Sequence, residues 1–143
     1  CASALILTLA GEAANGLYTS NNLVDINDPA SLEIPSVKEY VDYMASLGKS
    51  DIATTAGAGW NTAETIVAIL VQAQASEAGL TRASIINAAR NFTYTPMLAA
   101  PGVAYKMAGA EDPFLAESLV VRQYDAAAAR FTDIGELVTE WES

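Results

Sequence analysis

Leu9-Ala-Gly-Glu-Ala-Ala-Asn-Gly-Leu-Tyr-Thr-Ser20 is the stretch that decides the fold. Gly11 and Gly16 punctuate it, closing a short apolar helix predicted from Ala2 to Ala10 with Ser3 near its start. Leu17-Tyr18-Thr19 then forms a compact strand signal. Further along, Gly-Trp-Asn-Thr-Ala-Glu-Thr-Ile-Val-Ala-Ile-Leu from Gly59 to Leu70 has the character of a long amphipathic helix. Leu119 to Phe131 (LVVRQYDAAAARF) predicts a strand, a turn from Asp125 to Arg130, and a return strand beginning at Phe131. A small strand, a long helix and a late strand pair, with helices outnumbering short strands, predict an α/β fold.

The connecting segments fill in this frame. Asn21 to Pro35 is polar and rich in Asn, Asp and Pro, which predicts a surface connection. Ser36-Val37-Lys38-Glu39 fits a capping box, after which Val37, Tyr40, Val41, Met44 and Leu47 repeat at helical spacing until Gly48. The Ala-, Thr- and Gly-rich segment from Asp51 to Gly59 feeds the long helix, whose predicted buried stripe is Trp60, Ala63, Val67, Leu70 and Gln74. Thr81 caps a next helix expected to pack Ile85, Ile86 and Ala89. From Thr93 onward, Pro96, Pro101, Gly102, Gly109 and Pro113 break any long helix. Val103-Ala104-Tyr105 is a short strand candidate, and Ile134 to Trp141 a last helical turn or two. There is no fixed-period repeat and no low-complexity tail.

Composition narrows the function classes. At 143 residues and 52% hydrophobic content, the chain has enough apolar material for one globular domain or one large fragment. Its 17 acidic against 7 basic residues give a net charge of −10, and the basic residues are scattered. Counterion release needs clustered Lys and Arg, so nucleic-acid binding is not expected. No apolar run reaches the length of about 20 residues that a membrane helix requires. Cys1 is the only cysteine, so no internal disulfide forms, and there is no His. Ser–His and Cys–His catalytic pairs and a Cys/His zinc site are therefore excluded. The expectation is a non-enzyme with no catalytic residues, no metal and no cofactor.

The segment from Leu9 to Tyr18 also resembles a phrase of the leucine/isoleucine/valine-binding family of type I periplasmic (extracellular) solute-binding proteins. In that family the phrase closes the second lobe just before the chain crosses to the first. Gly59-Trp60-Asn61-Thr62-Ala63 is similar to the aromatic-led start of the long helix that follows. Leu80-Thr81-Arg82 with Ile85-Ile86-Asn87-Ala88 resembles the next helix, Pro101 to Tyr105 the irregular segment after it, and Leu119 to Phe131 the terminal strand pair. The likeness runs over nearly the whole chain. Two departures stand out: family members are more than twice as long, and the turn after Asp125 is Ala-rich where relatives place Gly and Lys.

The resemblance implies the C-terminal portion of a two-lobed fold with three-layer α/β/α lobes joined by hinge strands. Residues 1–21 would end the second lobe, 22–121 would form the C-terminal part of the first, and 122–143 would cross back. Ser20, Asn21, Asn22, Arg122, Gln123 and Tyr124 become hinge candidates, since hinges absorb backbone rotation at a few residues while lobes move as rigid bodies. The implied function is the substrate-binding component of an ABC importer. Its ligands would be branched-chain or other small hydrophobic amino acids, or related amides or carboxylates, and its partner an ABC permease. The implied location is periplasmic or extracellular, with lipid anchoring through a missing N-terminal region. A ligand-sensing ectodomain or regulator of the same fold is the alternative, separated by flanking sequence. A small unrelated enzyme is the third reading, disfavoured by the lack of His and of a phosphate loop.

Cys1, Ala2 and Ser3 fall at the rim of the implied cleft, where helix N–H groups would suit an anion. A frayed terminus capped by Ser3 is the simpler account. Thr54, Thr55 and Ala56 precede the long helix where the family lines its cleft; hydroxyls there would fix a polar end while small residues leave room for an apolar tail. Helix capping is the competing explanation. Trp60 reads as core, and Glu12 and Asp25 as a solvated face. Glu111-Asp112-Pro113 is a turn, since the regular oxygen spacing of a calcium loop is lacking. A partial lobe exposes sheet edges and an apolar face, so self-association or domain swapping of the chain is expected.

Overall fold

The computed structural model describes residues 4–139, without the side chains of residues 4, 5 and 8. In chain order it contains α1 (Ala4–Ala10), β1 (Tyr18–Asn21), α2 (Pro35–Ser46), α3 (Ala53–Gln74) and α4 (Arg82–Arg90). β2 (Asn91–Tyr94), β3 (Tyr105–Ala108), β4 (Leu119–Asp125) and β5 (Arg130–Val138) follow. The strands form two antiparallel sheets, one ordered β1-β4-β5 and the other β2-β3. Among the described residues no helix is long and apolar enough to cross a membrane.

The late hairpin forms where the sequence places it. Along β4 the inward positions are Val120, Arg122 and Tyr124, the period-two alternation of a strand with one buried face. Its turn is held by Asp125, whose Oδ1 accepts from the Ala128 N–H at 3.0 Å, and by Asn15, whose Oδ1 accepts from the Ala126 N–H at 3.1 Å. Ala129 takes φ 50, the left-handed conformation that Gly would adopt without strain. The predicted final helix from Ile134 is not formed. Ile134 to Val138 continue β5, because β4 offers a ladder of backbone partners (Val121 opposite Ile134, Leu119 opposite Val138). Trp141 lies outside the described residues.

α2 buries Val37, Tyr40 and Met44, the predicted spacing. The capping box does not form: Pro35 occupies the first helical turn and Ile34 is the N-cap. Ser36 thus sits inside the helix, and its Oγ donates instead to the Met97 carbonyl at 2.8 Å. The helix stops as the sequence indicates. Gly48 at φ +66 lets its N–H reach Ala45 O (2.9 Å) and the Lys49 N–H reach Met44 O (2.9 Å), a Schellman closure.

α3 differs most from expectation. It begins at Ala53, so Thr54, Thr55 and Ala56 lie in its first turn rather than before it. Its buried face is Ala53, Gly57, Asn61, Thr65 and Ala73, whereas Val67 is 57% exposed and Ala63 is exposed. The cause is close approach. A Cβ on Gly57 would stand 3.2 Å from Leu98 Cδ1 and 3.9 Å from the Tyr40 hydroxyl, so the packed side of the helix must be small. Trp60 lies at the edge of this contact, half-buried, with its ring centroid 5.2 Å from Tyr40 and 5.4 Å from Tyr43.

Thr81 caps α4 as predicted, in a reciprocal box with Ser84 (Ser84 N to Thr81 Oγ1 3.2 Å, Thr81 N to Ser84 Oγ 2.9 Å). The buried face is Ser84 and Ala88, with Ile86 exposed and Ile85 and Ala89 only half-buried. α3 packs against α4, and the residues buried on α4 are small, as is the buried Ala73 of α3. β2 was not anticipated, and the strand expected at Val103 starts at Tyr105 instead, leaving Val103 as a buried residue of the preceding loop. Two apolar clusters result. Val24, Val37, Tyr40, Met44, Ala53 and Leu98 lie beneath α2 and α3; Leu7, Ala14 and Tyr124 join α1 to the three-stranded sheet.

Candidate functional site

The first turn of α3, the segment from Leu23 to Ile26, β1, β4 and the start of β5 enclose a cavity of about 280 Å³. That is close to the lower end of the roughly 300–1,000 Å³ range of small-molecule sites. Asn21 shapes one wall: its Oδ1 accepts from the Leu23 N–H at 3.1 Å, turning the chain as it leaves β1. The Val24 N–H donates to Leu98 O at 3.0 Å and the Ala100 N–H to Asn22 O at 2.9 Å, pinning this crossing segment to the 98–100 loop. Val24, Ile26, Ala53 and Leu98 supply much of an apolar lining, and Phe131 closes one side.

Thr54 and Thr55 both line this cavity. The Thr54 hydroxyl donates to Asn27 Oδ1 at 3.3 Å, and α3 has no side-chain N-cap, so neither threonine is used for capping. Ala56 does not line the cavity; it turns inward and packs against the cluster around Tyr40. Cys1, Ala2 and Ser3 lie outside the described residues. The two segments that hold the hinge candidates, about a hundred positions apart in the chain, are neighbours in space. Ser20 and Asn21 of β1 pair with Val121 and Val120 of β4, and Thr19 pairs with Arg122. Asn22 follows directly, and the Tyr124 N–H donates to Leu17 O at 2.8 Å.

Asp25, Phe131 and Arg122 are among the cavity residues not recognised as such from sequence. Asp25, read as part of a solvated face, is half-buried and lines the cavity, because its Oδ1 accepts from Asn27 N (3.0 Å) and Asn27 Nδ2 (3.1 Å) in a tight local turn. Phe131 was read only as the start of a strand. Arg122, taken for a hinge position alone, is 9% exposed; its Nε donates to Asp133 Oδ1 at 2.7 Å and its Nη1 to Leu23 O at 3.4 Å. The available signal was the alternation Val120, Arg122, Tyr124, which puts an arginine in the buried phase of a strand.

A separate open groove of about 550 Å³ lies between α3 and β2, with Trp60, Val67, Val71 and Phe92 along it. At its edge Glu64 Oε1 accepts from the Tyr94 hydroxyl (2.6 Å) and the Met97 N–H (2.8 Å). Burial, then the hydrogen bond to Glu64 and its negative charge, push the Tyr94 phenol up to about 12. A raised folded pKa stabilises the fold fully below the unfolded value of 10, and this contribution is lost as pH rises from 10 through about 12. Tyr94→Phe is expected to cost about 1 kcal/mol at neutral pH. It should also flatten the alkaline loss of stability in that window, as read by urea denaturation across pH.

No family model matches the chain, and no curated protein matches it by sequence. Among solved structures, it resembles a branched-chain amino acid ABC transporter protein from Thermus thermophilus with bound valine. The TM-score is 0.68 at 16% sequence identity, and the match covers 96% of this chain and 37% of that one. At this identity the likeness is one of fold: the mixed helices and strands match a fragment of a periplasmic-binding-protein fold. The chain therefore spans a little over a third of the length of the solved structure it matches.

Proposed function

We propose that this chain is part of the substrate-binding component of an ABC importer, taking branched-chain or other small hydrophobic amino acids or related amides or carboxylates. Its role is non-catalytic capture in a periplasmic or extracellular setting, followed by docking on a permease. The observation that carries this reading is the agreement of nearly the whole chain with part of a valine-bound transporter protein. The small apolar cavity beside Thr54 and Thr55 supports it. In this reading residues 1–21 end one lobe, 22–121 belong to the other, and β1 and β4 carry the hinge.

A chain holding only part of a cleft makes part of the contacts. L-Valine is expected to bind the 143-residue chain with a Kd of about 1 mM or weaker, shifting the amide resonances of Thr19, Thr54 and Thr55 in an NMR titration. A valine titration that moves none of these resonances would overturn the reading. Micromolar binding would instead show that the cleft needs nothing beyond this chain.

Ile66, Val67 and Val71 expose an apolar face of α3. Self-association through such a face is the second expectation. Light scattering should give a mass above that of one chain, and Val71→Lys should reduce it. A single-chain mass at high concentration would count against it.

A further inference from the structure

Arg122 and Asp25 are the charged side chains among the residues lining the cavity, one of each sign. No ion pair joins them: Arg122 pairs with Asp133, on the adjacent strand. A guanidinium presents several N–H donors in a rigid fork. Its hydrogen bonds use Nε and Nη1, and among the described residues no acceptor is bonded to Nη2. Asp25 is arranged in the same way. Its Oδ1 takes both bonds from Asn27, and among the described residues no donor is bonded to Oδ2. Val24, Ile26 and Leu98 give the same cavity an apolar lining, and Arg122 and Asp25 also border an adjoining cavity lined by Asp28, Arg130 and Asp133.

An arginine kept at this depth is costly, and an apolar residue of the same volume would serve packing alone as well or better. What the guanidinium adds is planar, charge-assisted recognition of a carboxylate. We infer that Arg122 is the carboxylate anchor of this cavity and that Asp25 faces the ammonium group of the same ligand. The ligand chemistry is a small zwitterion with an apolar side chain. This rests on the ligand-binding reading above and assigns its charged contacts to two residues. Asp133, with a 57% exposed side chain, is then a positioning residue: it holds the guanidinium plane without reaching the ligand. Because Arg122 belongs to β4 and Thr54 and Thr55 to α3, a bound ligand would clip the three-stranded sheet to the start of the helix.

The test follows the Arg122 Nε–Hε resonance of the isotope-labelled chain during titration with L-valine, with isovalerate (no ammonium) and with L-valinamide (no carboxylate). Saturable shifts with valine and isovalerate, but not with valinamide, are expected. Arg122→Met should weaken valine binding about tenfold or more, while Arg130→Met, at a residue that does not line this cavity, should not. The wild-type resonance decides the matter even if Arg122→Met folds poorly. Valine binding with a still Arg122 resonance, or valinamide binding as tightly as valine, overturns the anchor and leaves the capture reading standing. Isovalerate binding without valine binding keeps the carboxylate anchor and overturns the amino-acid ligand. If no titrant binds, both fall.

Discussion

Tyr40→Ala is expected to lower the stability of the fold by about 3–5 kcal/mol, and the melting temperature by on the order of 10 °C or more. Tyr40 is 0% exposed and is among the largest fully buried side chains. Its ring stands edge-on to Trp60, and its hydroxyl donates to the Ala53 carbonyl at 2.6 Å, so one side chain fastens α2 to the start of α3. Truncation leaves a void and removes a second hydrogen bond from the Ala53 carbonyl, which stays in the α3 backbone ladder. The void cannot collapse easily, because Leu98 already lies 3.2 Å from where a Gly57 Cβ would be. Tyr40→Phe separates the two costs, keeping the ring and losing only the hydrogen bond, for about 1–2 kcal/mol. Thermal denaturation followed by circular dichroism checks both. A Tyr40→Ala loss no larger than that of Tyr40→Phe would mean the α2–α3 contact does not hold the domain together. Because Thr54 and Thr55 immediately follow Ala53, the same variant should also disorder one wall of the cavity.

Much of this architecture was legible in local signals. β1, the stop of α2 at Gly48, the Thr81 cap and the late hairpin each depend on residues a few positions apart, and each formed. The α/β class was legible too, in the order of a small strand, a long helix and a late strand pair, and the match to part of a periplasmic-binding-protein fold in the resemblance that starts at Leu9. The buried face of α3 was not. Apolar periodicity selects Trp60 and Val67, but the helix packs where backbones come closest, and that favours Gly57 and Thr65. The site divides in the same way. Thr54 and Thr55 were singled out through the family resemblance, and both border the cavity. Ala56 follows them in sequence yet faces inward, since neighbours along a helix point about 100° apart. The cavity positions of Asp25 and Arg122 were not read from the sequence: Asp25 is set by local bonds to Asn27, and Arg122 by long-range strand pairing. The register of Thr19 against Arg122, and of Arg122 against Asp133, spans three strands that no local pattern relates.

That pairing leads to the other large effect. Asp133→Ala is expected to destabilise by about 2–3 kcal/mol, somewhat less than the roughly 3–5 kcal/mol of a fully buried broken pair, since the Asp133 side chain is 57% exposed and water can replace part of it. Arg122→Met should behave oppositely. It removes the buried charge itself and leaves Asp133 on the solvent side, so stability should change by less than about 1 kcal/mol or rise. The double variant should then resemble Arg122→Met, because once the guanidinium is gone Asp133 has nothing left to neutralise. Urea denaturation of the four proteins closes the cycle, and the coupling between the two sites should account for most of the Asp133→Ala loss. If Arg122→Met is instead the costlier change, the guanidinium is chiefly a structural post between β4, β5 and the Leu23 carbonyl. If it is neutral or stabilising, the chain carries a buried positive charge that its fold does not require, set in a cavity where a carboxylate would use it.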